Sequence, residues 1–177
     1  MARRMTLVIP TLTTDRLTLR GPTPDDFDVY ADFMIAQNAA QSAGSFTRHT
    51  AWLGFAADLG HWLLRGYGFW IIEEKSSGRP AGMVGFFHPE GWPEAELGWT
   101  LFTGFEGQGY ATEAARRIRA YAYDDLGWGP LASIITPDNT RSIRLAEKLG
   151  ATFEREWTTP TGNTALIYRH PGPGDQP

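Results

Sequence analysis

Three strand-like segments follow one another in the middle of the chain, separated only by short turns. They cover residues 68–74, 81–88 and 95–102, and the connecting sequences KSSGRP and PEGWPE are rich in turn-forming residues. Strands joined by connections this short pair antiparallel, because a parallel neighbour needs a crossover of a dozen or more residues. The sequence therefore predicts an antiparallel meander and argues against a fold made only of repeated βαβ units.

Helical and strand patterns on both sides of the meander complete the predicted order of elements. Helices are indicated by apolar residues at spacings of three and four, and strands by alternation. The predicted ranges are strand 15–22, helices 23–38 and 49–66, the meander, helix 110–127, strand 130–136, helix 137–150, and a closing strand pair 151–157 and 164–170. Gly54 and Gly60 weaken the prediction that 49–66 is unbroken. One parallel crossover, across 95–135, makes this an α+β fold: a mixed, mostly antiparallel sheet between layers of helices.

Length and composition predict one globular domain without covalent or metal staples. The 177 residues contain 42% apolar and 20% charged residues, an ordinary globular mixture. We expect a short extension at 1–11, a single domain at 12–170, and a flexible Pro/Gly-rich tail at 171–177. The chain has no cysteine, which excludes thiolate chemistry and fits a cytoplasmic location.

Charge and histidine placement predict no nucleic-acid, membrane or metal partner. The net charge of −4 provides no general attraction to polyanions or to anionic membranes. The four histidines are scattered and form no pair with metal-ligand spacing, so no metal is expected. A homodimer is compatible with the sequence.

A glycine pair stands directly before the helix that follows the meander. Gly107-Gln108-Gly109 leads into Tyr110-Ala111-Thr112. The free N–H groups at a helix start carry partial positive charge, and glycine lets the backbone approach a bulky anion. Three interpretations compete: a tight turn without a ligand, a dinucleotide site, and a loop for the pyrophosphate of coenzyme A (CoA). A dinucleotide fold would need a further small residue where Thr112 stands, and additional βαβ units.

Two longer motifs carry a family resemblance. Residues 95–156 contain GQGYATEA, followed at the right separation by PDNTRSIRLAEKLGA. This region resembles the acetyl-CoA-binding core of the GNAT superfamily of N-acetyltransferases, and within it the branch of ribosomal-protein N-terminal alanine acetyltransferases. The opening LTTDRLTLRGPTPDDFD also fits, so the resemblance spans residues 12–170.

The resemblance implies a set of residues that bind acetyl-CoA. It assigns the pyrophosphate to the loop from Gly107 to Thr112, and pantetheine pairing to the backbone at the end of the preceding strand. Asn139 and Ser142 match residues that contact the pantetheine arm, although Asn139 also suits a helix cap. The full set is Leu101, Phe102, Thr103, Gly107, Gln108, Gly109, Tyr110, Ala111, Thr112, Asn139 and Ser142.

Two groups of charged residues stand near the loop. Glu106 stands where the family has a basic or amide residue, so we expect its side chain to face away from an anion. Arg116, Arg117 and Arg119 either reach the 3′-phosphate of CoA or form a solvated helix face.

Acetyl transfer to an amine needs a proton acceptor, and the sequence offers two candidates. Glu96 lies on the strand that leads to the acetyl site, with Glu94 two residues away, and paired carboxylates raise one another's pKa. His88, at the end of the previous strand, titrates in a useful range but shows no orienting partner. Many family members have a tyrosine acid seven residues after the asparagine; here that position is Ala146, which leaves Ser142 as a candidate acting through water.

The resemblance implies an enzyme that transfers the acetyl group of acetyl-CoA to a primary amine, either a small molecule or a protein N-terminus. The missing tyrosine keeps a second class open, a non-catalytic acyl-CoA sensor of the same fold.

Overall fold

The computed structural model describes residues 7–39 and 46–175, and over these ranges it forms one sheet flanked by helices. A 3-10 turn at Pro24–Asp26 precedes the first helix. The helices are α1 Phe27–Ala39, α2 Arg48–Arg65, α3 Tyr110–Asp124 and α4 Thr140–Lys148. The strands are β1 Leu12–Thr13, β2 Leu17–Arg20, β3 Phe69–Glu74, β4 Arg79–Phe87, β5 Glu96–Leu101, β6 Ala132–Ile135, β7 Thr152–Thr158 and β8 Thr164–Arg169. Within the described ranges no helix combines the length and apolar character that crossing a bilayer requires.

The sheet has the order β1-β2-β3-β4-β5-β6-β8-β7. Every neighbouring pair is antiparallel except β5 and β6, which are parallel and joined through α3. This confirms the predicted α+β class and the single parallel crossover. The two-residue strand β1 was not predicted, because two residues carry no readable alternation.

Helix α3 covers one face of the central strands. Its buried side includes Ala114, Ala115 and Ile118, and its Tyr121 ring contacts Trp70 of β3 with centroids 5.7 Å apart. Alanines at these positions let the helix lie close to the sheet, so its N-terminus is fixed next to the end of β5.

Helix α2 is continuous despite its two glycines. Thr47 caps its start by accepting a hydrogen bond from the Thr50 N–H, and Gly66 ends it in the left-handed conformation. Gly54 has a packing role, because a Cβ there would lie 2.9 Å from the Tyr30 hydroxyl oxygen of α1. The glycine that weakened the helix prediction therefore permits close contact between two helices.

The first residues of the predicted flexible tail are attached to the domain. The Tyr123 hydroxyl donates to the Pro171 carbonyl at 2.8 Å, and Gly172 is buried. The flexibility of the tail stays a prediction, and 176–177 lie outside the described residues.

Candidate functional site

The parallel strands β5 and β6 are in register at one position and then separate. Their register pair is Glu96 with Ala132, and β5 continues to Leu101 paired only with β4 on its other side. We call this arrangement the strand fork. Since both strands run in the same direction, the open end of the fork lies at their carboxyl ends, where ligands of such sheets bind.

Two side chains hold the closed end of the fork in place of backbone ladder bonds. The Ile134 N–H donates to Glu96 Oε2 at 2.8 Å, and the Ser133 hydroxyl donates to the Leu97 carbonyl at 2.6 Å. Both bonds cross from one strand to the other just beyond the register pair. They satisfy backbone groups that separation of the strands would leave without a ladder partner.

A buried polar chain extends this bridge to α3. Because the Ser133 hydroxyl donates its proton to the Leu97 carbonyl, its Oγ accepts a hydrogen bond from His170 Nε2–H at 3.0 Å. The other ring nitrogen of His170, Nδ1, then accepts from Arg119 Nη1 at 3.4 Å. Burial, with the nearby charges of Arg119 and Arg169, lowers the pKa of His170 to about 4. His170 is therefore a neutral structural group at ordinary pH.

The position of Arg119 corrects one sequence-based expectation. Its side chain is buried and donates to the Leu149 carbonyl at 2.5 Å. Because Arg119 lies four residues after Ala115 and three before Ala122, it belongs to the inward face of α3. It therefore cannot reach a phosphate at the protein surface.

Glu96 occupies the closed end of the fork. Its side chain is buried, and Trp92 Nε1 donates to Oε1 at 3.0 Å while Ile134 N–H donates to Oε2. Burial raises the pKa of Glu96 to about 7, and the two hydrogen bonds oppose that rise in part. Each carboxylate oxygen retains further lone-pair capacity, so the group can still accept a proton.

Glu94 does not act with Glu96 as the sequence suggested. The Arg169 guanidinium binds Glu94 through two hydrogen bonds of 2.6 and 2.8 Å. The raised pKa of Glu96 has burial as its largest cause rather than a second carboxylate. The prediction of a coupled pair is therefore wrong in its cause, although the elevated pKa itself is present.

The glycine loop before α3 leaves N–H groups directed out of the helix ladder. Gly107 and Gly109 have φ values of 76° and 81°, a region that other residues rarely adopt. The first hydrogen bond of the helix runs from the Glu113 N–H to the Gly109 carbonyl at 3.1 Å. The preceding amides lie at the N-terminus of a 15-residue helix, where its dipole favours an anion.

Arg16, before β2, holds this loop from outside. Its Nη1 donates to the Gln108 carbonyl at 2.9 Å, its Nε and Nη2 reach Glu113 at 2.7 and 2.6 Å, and its guanidinium lies 4.7 Å from the Tyr110 ring centroid. We call these contacts the Arg16 clamp. Since a carbonyl and the next N–H point in opposite directions across a planar peptide, fixing the Gln108 carbonyl also fixes the direction of the Gly109 N–H.

Side chains within the loop mostly face the protein. The Tyr110 hydroxyl donates to Glu74, and Ala111 and Thr112 are buried. The Glu106 carboxylate is exposed and turned back, where it accepts from the Gly104 N–H at 2.8 Å. Hydrogen bonds from the backbone of Glu106 itself and of Gly104 lower the pKa of this carboxyl.

The residues that end β5 differ in what they can offer. Leu101 pairs with Gly82 of β4, so its other edge faces the open fork, and Thr103 is exposed beyond it. Phe102 is 1% exposed and packs against Phe33, its N–H donates to the Ala81 carbonyl, and its carbonyl accepts from the Phe105 N–H. Phe102 is thus a core residue, which corrects its inclusion among cofactor contacts.

At the end of β6, Asn139 acts as the cap of α4. Its Oδ1 accepts from the Ser142 N–H at 3.1 Å, which is the structural alternative that the sequence left open. Ser142 is half-buried in the first turn of α4, and Ala146 is fully buried one turn further on. The structure thus brings the start of α4 to the same end of the sheet as the glycine loop.

A cationic groove adjoins the glycine loop. It has a volume of about 560 Å³. Arg16, Arg116, Arg117 and Lys148 supply positive charge, and its other lining residues are Thr13, Thr14, Asp15, Gly109, Thr112 and Glu113. Two of the three arginines noted in the sequence therefore do line a surface groove.

His88 has the orienting partner that the sequence did not reveal. Its Nδ1 lies 3.1 Å from the Tyr67 hydroxyl, and its backbone N–H donates to His61 Nε2 at 2.9 Å. Over 7–39 and 46–175, no three His, Cys, Asp or Glu residues come together in a way that could hold a metal ion.

Comparison with known proteins agrees with this geometry. Residues 16–152 match the model of the acetyltransferase (GNAT) domain. An acetyltransferase from Agrobacterium tumefaciens str. C58 has a crystal structure 36% identical in sequence, with a TM-score of 0.82 over 96% of this chain and 98% of that one. The protein YkkB of Bacillus subtilis (strain 168) is 36% identical over 103 residues, which are 54% of this chain and 60% of YkkB, less than two thirds of its length.

A more distant neighbour is the ribosomal L7/L12 α-N-protein acetyltransferase RimL, solved in complex with CoA. It has a TM-score of 0.72 over 91% of this chain and 97% of that one, at 16% identity, and so shows the shared fold alone. The family model, in contrast, covers well over half of the chain. This chain belongs to the GNAT acetyltransferase domain family.

Proposed function

We propose that the protein transfers the acetyl group of acetyl-CoA to a primary amine. The observation that carries this proposal is the strand fork, with the glycine loop and the start of α4 at its open end. A separated pair of parallel strands offers unpaired backbone for an extended, amide-containing chain such as pantetheine. The RimL neighbour, which was solved with CoA, supports the same assignment.

The pyrophosphate of CoA would bind at the glycine loop. The N–H groups from Gly107 to Thr112 precede the first hydrogen bond of α3 and are suited to an anion. Leu101 and Thr103 would contribute backbone, and Ser142 a hydroxyl, to the pantetheine arm. Asn139 retains its amide N–H₂ for that arm, because its cap bond uses only Oδ1.

Glu96 is the residue that we assign as general base. An amine attacks only after it has lost its proton, and a carboxylate whose pKa lies near neutrality is well matched to accept that proton directly or through water. Acetyl-CoA would supply the activated thioester. Backbone N–H groups of β5 beside the fork are the candidates to stabilise the oxyanion.

The departing thiolate has no tyrosine acid at position 146, which is a buried alanine of α4. A thiolate whose thiol has a pKa of about 8.5 is an adequate leaving group. In the sequence motif, Ser142 is the candidate that could donate a proton to this thiolate through water. We expect Ser142→Ala to lower kcat only modestly, by less than about tenfold, since such an acid is not essential.

The test combines CoA binding with turnover over a panel of amines. Glu96→Gln should bind CoA like the wild type but lose about 10²–10⁴ in kcat, and Glu94→Gln serves as the matched control because Glu94 is tied to Arg169. The introduced amide would leave either Trp92 or Ile134 facing an N–H₂ group, so thermal stability must be measured beside kcat. Unchanged kcat in a folded Glu96→Gln variant would refute the base assignment.

A second candidate function is acyl-CoA sensing without catalysis, favoured by the alanine at position 146. The same panel separates the two functions. Tight CoA binding with no acetylated product from any amine would support the sensor and exclude the transferase.

A further inference from the structure

Five aromatic side chains form a continuous surface beside Glu96, which we call the aromatic wall: His61, Phe69, Phe87, Trp92 and Trp157. Phe87 lies at its centre, with ring centroids 5.5 Å from His61, 6.0 Å from Phe69 and 5.4 Å from Trp92. Trp92 in turn contacts Trp157 at 5.2 Å. The wall thus runs from α2 across β3 and β4 to the loop after β4 and on to β7.

The middle of the wall borders the proposed base. Phe87 and Glu96 are direct partners across the β4–β5 pair, so their side chains share one face of the sheet. Trp92 contacts Phe87 through its ring and Glu96 through its indole N–H. Gly98, two residues beyond Glu96 on the same face, has no side chain, and a Cβ there would lie 3.2 Å from Phe69. The absence of that side chain leaves the Phe69 ring flush with β5.

The wall lies at the margin of the packed core, where Phe69 packs against buried residues. Trp70, Phe86 and Phe102 are fully buried, whereas all five members of the wall are half-buried. His61, its one titratable member, is held neutral because burial, helped by Arg65 and His88, lowers its pKa. The wall therefore offers ring faces but no carboxylate to pair with a second positive charge.

Resting on the proposed function, we propose that the acceptor is a small primary amine that carries an aromatic or large apolar group near its amino group. The ring packs on the aromatic wall while the amine approaches Glu96. An acceptor of this kind uses the exposed ring surface, whereas a polyamine or a polar amino alcohol would leave it in water.

The experiment compares phenethylamine with ethanolamine and spermidine in steady-state kinetics, together with a peptide that begins with alanine. We expect kcat/KM for phenethylamine to exceed that for each of the others by at least about tenfold, mainly through KM. Trp157→Ala should reduce this preference at least about fivefold. Phe153→Ala is the matched control: Phe153 is exposed on the same strand, but it pairs with Tyr168 whereas Trp157 pairs with Ala165, which places the two on opposite faces.

The outcomes separate the wall from the reaction. Three results would overturn the aromatic assignment while leaving acetyl transfer intact. They are equal kcat/KM values for all acceptors, a preference for spermidine or the peptide, and a preference for phenethylamine that survives in Trp157→Ala. If no amine is acetylated, binding of phenethylamine to the CoA-loaded protein is measured by calorimetry. Binding that is lost in Trp157→Ala supports the aromatic wall as an acceptor site and refutes only acetyl transfer. Absence of binding overturns the assignment of the wall as an acceptor site.

Discussion

Replacing Arg16 with methionine should weaken CoA binding without unfolding the protein. Methionine keeps an unbranched stem over Tyr110 but removes the guanidinium that holds both Glu113 and the Gln108 carbonyl. The side chain of Arg16 is 49% exposed, so its ion pair contributes at most about 1 kcal/mol. The bond to Gln108 adds about 0.5–1.5 kcal/mol.

If this free energy of about 1–2 kcal/mol holds the loop in its binding conformation, its loss appears in the affinity for CoA. The Kd of CoA should rise by about 5- to 30-fold, measured by calorimetry, with a small drop in melting temperature. Arg48→Met is a matched control, because Arg48 is 51% exposed, pairs with Asp28 and Asp32, and lies 5.0 Å from the Phe27 ring centroid. An unchanged Kd in a destabilised Arg16→Met variant would show that the clamp serves only general stability.

Three further predictions concern the loop and the buried titratable groups. Gly107→Ala should weaken CoA binding through backbone strain of about 1–2 kcal/mol. Gly162→Ala is the control, because Gly162 has a similar φ of 85° and is equally free of Cβ contacts. It should lower the free energy of unfolding by the same amount and leave the Kd of CoA unchanged. His170→Gln should reduce the loss of unfolding free energy between pH 6.5 and 4. The pKa of His170 in the folded protein is about 4, so over this range the unfolded chain binds a proton that the native chain excludes. Denaturant titrations of the wild type should show a contribution of about 3 kcal/mol that is lost as the pH falls through this range. Trp92→Phe should move the acidic limb of the pH profile of kcat/KM to higher pH, because it removes a hydrogen bond that lowers the pKa of Glu96. A limb that does not move would show that Glu96 is not the group that titrates there.

Local patterns were sufficient for the order of the helices and of every strand except β1, and for the position of the glycine loop. Alternation and helical spacing act within a few residues, and a glycine pair before a helix has a direct backbone consequence. The inward face of α3 was also readable, and applying it to Arg119 would have placed that residue in the interior. When 116–119 is treated as one basic run, the inward position of Arg119 is missed. A helix turns by about 100° per residue, so residues of such a run face different directions.

Long-range pairing was not readable in the same way. Arg16 and Gln108 are separated by 92 positions, and no periodicity links them. The same holds for the bond from Ser133 to Leu97, which depends on β5 and β6 being neighbours and then separating. Phe102 was assigned from its place at the end of β5, whereas its contact with Phe33 of α1 decides its role. These contacts depend on the tertiary arrangement, which single-sequence patterns do not encode.

Glu96 combines a structural and a proposed chemical role at one position. A carboxylate that only closed the fork could be replaced by any acceptor of the same shape, whereas a base also needs a pKa near the working pH. Burial supplies that pKa, and burial in turn follows from the place of Glu96 between two strands and beneath Trp92. A more exposed carboxylate would bind its donors equally well but would titrate too low to be an effective base. The closed end of the fork is therefore the part of the sheet where the same geometry can serve both roles.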